Sequence, residues 1–314
     1  MTGTEAFDTV VIGAGQAGPF LAAKLVAQGR RVALIESRDL GGTCVNRGCT
    51  PTKTLRKSAR VAYMARRAAE FGVRVGPVEV DFAAAMQRMK QRVDESRAGL
   101  QSWLGGLEGL TIIKAHGRLA GRNEAGFVVE ADQRRLAAPK VVLNTGTRPY
   151  LPPIAGLLDN PHLDNEGLLA LRELPRKLVI IGGGYISLEM GQIFRRLGSK
   201  VAIIETGPRL TMREDEDVSQ AVTAMLRAEG IDVFTGLDIQ RVSPGQFAGG
   251  SCVELADGRI IGGSHLLVAT GRVPNTDDLG LHSVGLKPNM RGYIATNERL
   301  ETDVPGIWAL GDIN

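Results

Sequence analysis

The sequence predicts an α/β protein built from two Rossmann-like dinucleotide-binding domains, each with a small antiparallel β insertion. Three observations carry this. A glycine turn set between an apolar strand and a helix occurs twice. An acid closes the following strand at the same distance, 23 positions from Gly13 to Glu36 and 23 from Gly182 to Glu205. Each unit is then followed by an apolar strand ending in Thr-Gly-x-x-Pro. A chain of 314 residues, 43% apolar and 23% charged, is long enough for two cores. Its 40 glycines are nearly twice the roughly 7% of average usage and cluster after apolar runs, as nucleotide-binding turns require.

The first unit opens with the strand Thr9-Val10-Val11-Ile12, the turn Gly13-Ala14-Gly15-Gln16-Ala17-Gly18, and an apolar helical stretch to residue 28. Gly13 permits the turn, Gly15 lets a phosphate approach the backbone at a helix N-terminus, and Gly18 lets helix and strand pack closely. A second strand over 31–35 closes on Glu36, placed to accept hydrogen bonds from a ribose. Two helical stretches fill 50–104, residues 127–136 read as short antiparallel strands, and the strand at 141–143 runs into Asn144-Thr145-Gly146-Thr147-Arg148-Pro149. The segment Pro149-Tyr150-Leu151-Pro152-Pro153, with its two consecutive prolines, and Pro161 then mark a boundary.

The second unit repeats the order. A strand at 178–181 leads into Gly182-Gly183-Gly184-Tyr185-Ile186-Ser187, followed by a helix to residue 197, a strand at 201–204 and Glu205. Ser187 stands where the first turn has its third glycine, a change small enough to keep helix and strand close. The acidic run Glu214-Asp215-Glu216-Asp217 predicts a helix start, where negative charge complements the dipole. Residues 253–261 read as antiparallel strands turning at Asp257-Gly258, and the strand at 266–268 ends in Ala269-Thr270-Gly271-Arg272-Val273-Pro274.

Composition narrows the function. A net charge of +4, dispersed along the chain, does not point to nucleic acid. No apolar run approaches the roughly 20 residues that span a bilayer, and the N-terminus carries no basic leader, so no membrane partner is expected and the chain is read as cytoplasmic. Three cysteines, two of them five positions apart, suggest redox chemistry or a metal rather than a disulfide framework. Zinc usually takes four ligands, and His116, His162, His265 and His282 stand singly with no Cys-x-x-Cys nearby, so no metal site is expected. Cys252 alternates with Val253 and Leu255 as a core residue would.

The cysteine pair sits in Gly41-Gly42-Thr43-Cys44-Val45-Asn46-Arg47-Gly48-Cys49-Thr50-Pro51-Thr52-Lys53. This segment resembles the redox-active disulfide of the class I pyridine nucleotide-disulfide oxidoreductases, which include dihydrolipoamide dehydrogenase, glutathione reductase and mercuric reductase. The two glycine turns and their acids are similar to that family's FAD and NAD(P) sites. Residues 302–312, ending in Trp308-Ala309-Leu310-Gly311-Asp312, resemble its second FAD motif.

The resemblance implies a division of roles. Cys49 is the sulfur beside the flavin and Cys44 the interchange sulfur that attacks substrate, with the helix N-terminus favouring thiolate. Lys53 matches the lysine near the flavin N5, Glu189 the acid that pairs with it, and Tyr185 the aromatic gate over the flavin. Gly42, Thr43, Gly117 and Asp312 match FAD contacts. Gly146, Gly182, Gly184, Ile239 and Gly271 complete the cofactor positions. Glu205 at a strand end favours NADH by accepting from a ribose hydroxyl and repelling a 2′-phosphate, while Arg209 keeps NADPH in play. Seven basic residues from Arg47 to Arg67, with no acid among them, read either as a field acting on the disulfide or as a solvated helix face.

The implied protein passes electrons from NAD(P)H through FAD to the Cys44–Cys49 disulfide and on to a small-molecule disulfide or a metal ion of the Hg(II) type. The wording Cys-Val-Asn-Arg-Gly-Cys-Thr-Pro-Thr-Lys is most similar to mercuric-reductase-like sequences. Dihydrolipoamide dehydrogenase is the alternative activity, and a non-catalytic FAD- and NAD-binding fragment the alternative of another class. The expected layout is an FAD-binding domain over residues 1–150 containing the disulfide, an NAD(P)-binding domain over 151–272, and a return segment over 273–314. The family continues past the Gly-Asp motif into a C-terminal dimerisation domain that supplies a histidine–glutamate pair to a homodimer. Since the chain ends at Asn314, a form without that domain, and so without that pair for disulfide turnover, is expected.

Overall fold

The computed structural model describes residues 3–314. Contacts divide the chain into two compact units: the first takes residues through Cys49, Val93–Arg148 and Arg272–Asn314, the second Thr50–Arg92 and Pro149–Gly271. In chain order the helices are α1 (Gly18–Ala27), α2 (Gly42–Arg47), α3 (Cys49–Arg66), α4 (Phe82–Gly105), α5 (Asn165–Leu169), α6 (Tyr185–Leu197) and α7 (Glu216–Ala228).

The first unit is centred on a five-stranded parallel sheet, in the order Ile307–Ala309, Lys140–Leu143, Thr9–Ile12, Val32–Glu36, Leu110–Lys114. Strands covered on both faces must be apolar throughout, and Thr9–Ile12 is buried at all four positions. Alternate side chains serve opposite faces. Val10, Ile12, Ala33, Ile35, Val141 and Leu143 pack with Phe127, Val129 and Leu136 of an antiparallel layer. Val11, Val32, Leu34 and Val142 pack instead with Ala22 of α1 and Leu104 of α4. The antiparallel layer is formed by Gly117–Asn123, Gly126–Ala131 and Arg134–Ala138, with Glu5–Ala6 added at its edge.

The second unit repeats this plan with four parallel strands, in the order Ile231–Thr235, Lys200–Glu205, Lys177–Ile181, His265–Val268. Val179, Ile181, Ala202, Ile204, Leu266 and Val268 pack against Val242, Val253 and Leu255 of an antiparallel sheet built from Ile239–Pro244, Ser251–Leu255 and Ile260–Gly263. Cys252 is buried in that sheet. The acidic run does start a helix: Asp215 is the N-cap of α7, and Glu216 and Asp217 lie in its first turn.

The contact division differs from the 1–150 and 151–272 layout in placing residues 50–92 with the second unit. The reason is chemical. Lys53 pairs with Glu189, Arg66 Nη1 donates to the Arg196 carbonyl at 2.5 Å, the Arg196 guanidinium lies 4.1 Å from the Tyr63 ring centroid, and the rings of Phe82 and Phe194 are 6.1 Å apart. Helical periodicity identifies α3 and α4 as amphipathic but carries no signal for which sheet their faces meet.

Candidate dinucleotide and thiol sites

The two glycine turns have the same construction. Gly13 donates its N–H to the Ile35 carbonyl and Gly182 its N–H to the Ile204 carbonyl, both at 2.8 Å. Both glycines have positive φ, 101° and 109°. A Cβ at Gly13 would lie 2.3 Å from the Asn144 carbonyl oxygen, and one at Gly182 would lie 2.4 Å from that of Ala269. The strands ending in Thr-Gly therefore press on the turns, and only a residue without a side chain fits beneath them. The helices that follow, α1 and α6, begin without a side-chain cap, leaving their first N–H groups for an anion.

Each acid closes its own turn. Glu36 accepts from the N–H groups of Ala14 at 2.8 Å and Arg38 at 2.7 Å. Glu205 accepts from Gly183 at 2.5 Å and Gly207 at 2.7 Å. These carboxylates hold the turns in shape, a duty that spacing alone does not reveal. Arg209 gives Nη2 to the carbonyls of Met212 at 3.5 Å and Glu214 at 3.1 Å, which ties it into the loop after Glu205.

The cysteine segment is stitched to the first turn. Gly41 donates its N–H to the Ala14 carbonyl at 2.8 Å, Gln16 reaches the Gly41 carbonyl at 3.2 Å, and a Cβ at Gly42 would meet the Gly15 Cα at 2.8 Å. Thr43 and half-buried Cys44 lie in the short helix α2, which ends at Gly48 with φ −137° and ψ −108°; exposed Cys49 then begins α3. Both cysteines are thiols in this structure.

The residues between the cysteines fix the loop. Asn46 Nδ2 donates to the carbonyls of Leu40 and Gly42, both at 2.9 Å, while its Oδ1 accepts from Arg97 at 2.9 Å. Arg47 pairs with Asp39 at 2.9 Å. The basic run is therefore no single field: Arg47, Lys53 and Arg67 hold the acids Asp39, Glu189 and Glu70, whereas Arg56, Lys57 and Arg60 are exposed.

Within the second unit, Lys53 and Glu189 meet, with Nζ 2.6 and 2.8 Å from the two carboxylate oxygens. Tyr185, the first residue of α6, is 60% exposed and donates its hydroxyl to Glu214. That hydrogen bond, with loss of water and the carboxylate's charge, pushes the phenol above the usual tyrosine range. Gly184 caps α6, Ile239 packs beside the core at the start of its strand, and Gly271 accepts from the Tyr150 N–H at 3.0 Å.

The remaining predicted positions lie in the first unit. A Cβ at Gly117 would press on Ile12 and Ile35 at 3.1 Å, the Gly146 carbonyl accepts from Asn275 at 2.9 Å, and Asp312 is exposed in the last turn. Sequence reasoning missed Asn144. Its Nδ2 donates to the Gly13 carbonyl at 3.2 Å, and Cβ atoms at Gly15, Gly18 and Gly311 would each fall within 3.3 Å of its side chain. It thus joins the glycine turn to the Gly-Asp motif. The available signal was the asparagine ending the strand at 140–143.

Among the described residues, no group of three or more His, Cys, Asp or Glu side chains is arranged to hold a metal ion. No described helix is long and apolar enough to cross a membrane.

Comparison with known proteins places this geometry. Residues 7–314 match the family model described as pyridine nucleotide-disulphide oxidoreductase. The chain is 34% identical to a dihydrolipoyl dehydrogenase of Cupriavidus necator, over 99% of this chain and 68% of that protein. It is 35% identical to a mercuric reductase of Acidithiobacillus ferrooxidans, over 96% and 55% respectively. A solved structure of the HOCl-induced flavoprotein disulfide reductase RclA from Escherichia coli superposes with a TM-score of 0.85 at 32% identity, covering 98% of this chain and 66% of that one. The chain thus spans about two thirds of the length of several relatives it matches, and less of others. Family match, identity and fold agree: the chain belongs to the pyridine nucleotide-disulfide oxidoreductases, a family of enzymes that use FAD and NAD(P)H.

Proposed function

We propose that this chain binds FAD in its first unit and NADH in its second, and passes two electrons through a Cys44–Cys49 disulfide to a small-molecule disulfide or an Hg(II)-type acceptor. The observation that carries this reading is the attachment of the cysteine segment to the Gly13–Gly18 turn through Gly41, Gly42 and Gln16. A redox pair fastened to a phosphate-binding turn keeps a fixed place relative to whatever that turn holds. The side-chain-free cradles at Gly13 and Gly182 fit dinucleotides, as do the uncapped helices behind them. Bound FAD would supply hydride acceptance from NADH and delivery of an electron pair to the disulfide.

The chain's own residues do the rest. Glu36 and Glu205 present carboxylate oxygens at the strand ends where the ribose hydroxyls of a dinucleotide are read. Lys53, paired with Glu189, supplies a positive charge held in one place, and Asp312 and Thr43 are the remaining FAD contacts. Once the disulfide is reduced, the Cys44 sulfur attacks a disulfide acceptor, forms a mixed disulfide and expels one thiolate. Cys49 then displaces the second thiolate and restores the Cys44–Cys49 bond, so two electrons leave with the acceptor. For the assembly we keep the homodimer implied by the resemblance.

Two measurements test this. Anaerobic titration of the flavin-loaded protein with NADH is expected to give a two-electron reduced form with a long-wavelength band between the Cys49 thiolate and flavin; direct bleaching of flavin without that band rejects the role of the pair. Initial rates with lipoamide and with Hg(II) then separate dihydrolipoyl-dehydrogenase-like from mercuric-reductase-like turnover, and the mercuric type is the one we favour from the cysteine segment.

The nicotinamide preference has its own test. Glu205→Ala removes the ribose acceptor and the charge that repels a 2′-phosphate, so the ratio of kcat/KM for NADH over NADPH is expected to fall about tenfold, the factor set by roughly 1.4 kcal/mol. An unchanged ratio would assign Glu205 to turn structure only.

A further inference from the structure

The loop that follows Glu205 is tied down at several points within the second unit. Gly207 donates to Glu205, Thr211 donates its N–H to the Gly183 carbonyl at 2.9 Å, and Glu214 donates its N–H to the Thr211 carbonyl at 2.8 Å. Arg209 holds the Glu214 carbonyl at 3.1 Å, and buried Ser219 of α7 donates its hydroxyl to the Leu210 carbonyl at 2.5 Å. Glu214 is therefore a carboxylate on a fixed backbone, and the group it receives is the hydroxyl of Tyr185.

We propose that Glu214 is a positioning residue that holds the Tyr185 ring in its resting place, so that nicotinamide binding must break the Tyr185–Glu214 bond. This rests on the reading of Tyr185 as the gate. The loop has two ends with two duties: one closes the glycine turn through Glu205 and Thr211, and the other tethers the side chain that opens α6. A tether on the resting ring adds to the work of displacing it, and releasing the tether makes binding easier. The bond lies at an exposed tyrosine, so the effect is modest.

The test is a double-mutant cycle in the flavin-loaded protein, reading the dissociation constant of NAD⁺ by calorimetry and the rate of flavin reduction by NADH. Glu214→Ala and Tyr185→Phe are each expected to tighten NAD⁺ binding by about two- to fivefold, the low end for a net hydrogen bond because this one is exposed to water. The double variant should bind no more tightly than either single one. Glu214→Gln keeps an acceptor oxygen and should restore the wild-type constant, and non-additivity with Tyr185→Phe separates the tether from a loop merely loosened by truncation.

Additive effects, weaker binding in Glu214→Ala, or no change in that variant overturn the tether. Tyr185→Ala separates the two levels: if removing the ring leaves both NAD⁺ binding and flavin reduction unchanged, the gate reading itself fails. If Tyr185→Ala alters them while Glu214→Ala does not, only the positioning role of Glu214 fails.

Discussion

Cys49→Ser and Cys44→Ser are each expected to lower turnover of any disulfide acceptor by about three orders of magnitude or more, because a serine hydroxyl is neither a thiolate nor able to close a disulfide. The two variants should differ spectroscopically. Cys49→Ser removes the long-wavelength absorbance on reduction, whereas Cys44→Ser keeps flavin and leaves the Cys49 thiolate able to produce that band. The local structure allows so clean an experiment. The segment is held by Asn46 bonds to Leu40, Gly42 and Arg97, by the Arg47–Asp39 pair and by the Gly41 bond to Ala14, and none of these involves a sulfur. Melting temperature and flavin content of each variant, measured beside turnover, show that the segment is still in place. Full activity of both variants towards lipoamide and Hg(II) would remove the cysteine pair from the mechanism.

The repeated strand, turn, helix and acid were legible because each depends on local chemistry: apolar runs that are buried on both faces, a turn that tolerates only glycine, and an acid one strand away. The order of the parallel strands brings Gly13, Glu36 and Asn144 together in one unit and Gly182, Glu205 and Ala269 in the other. The matched spacing foretells that arrangement, but not the identities around it. Where the third turn position is Gly18, the neighbouring strand ends in Asn144, whose side chain fills the space; where that position is Ser187, the strand ends in Ala269. Both exchanges are visible as letters, yet the fit of Gly18 against Asn144 depends on residues more than 100 positions apart. The Asn46–Arg97 bond and the Tyr185–Glu214 bond are of the same kind. Neither follows from periodicity, since side-chain partners are chosen by where a loop lands.

Gly13→Ala and Gly182→Ala are expected to cost about 3–5 kcal/mol each, a large share of the 5–15 kcal/mol that holds a typical domain together. Two penalties add in each case. The backbone conformation, with φ of 101° and 109°, is one that an L side chain rarely adopts. The new methyl would also overlap a carbonyl oxygen at 2.3 or 2.4 Å, and that carbonyl belongs to a parallel-sheet strand end that cannot move without breaking the bond from Asn144 N–H to Ile12 or from Ala269 N–H to Ile181. Gly29→Ala provides the comparison: φ there is 75°, but no atom lies within 4 Å of the added methyl, so only the conformational part, about 1 kcal/mol, should appear. Denaturant unfolding checks the three costs. Cofactor retention then separates the units, with Gly13→Ala expected to purify without flavin and Gly182→Ala to retain flavin but lose NADH-dependent reduction. If Gly13→Ala were no worse than Gly29→Ala and still held flavin, the close fit of strand end against glycine turn would not be what shapes the site.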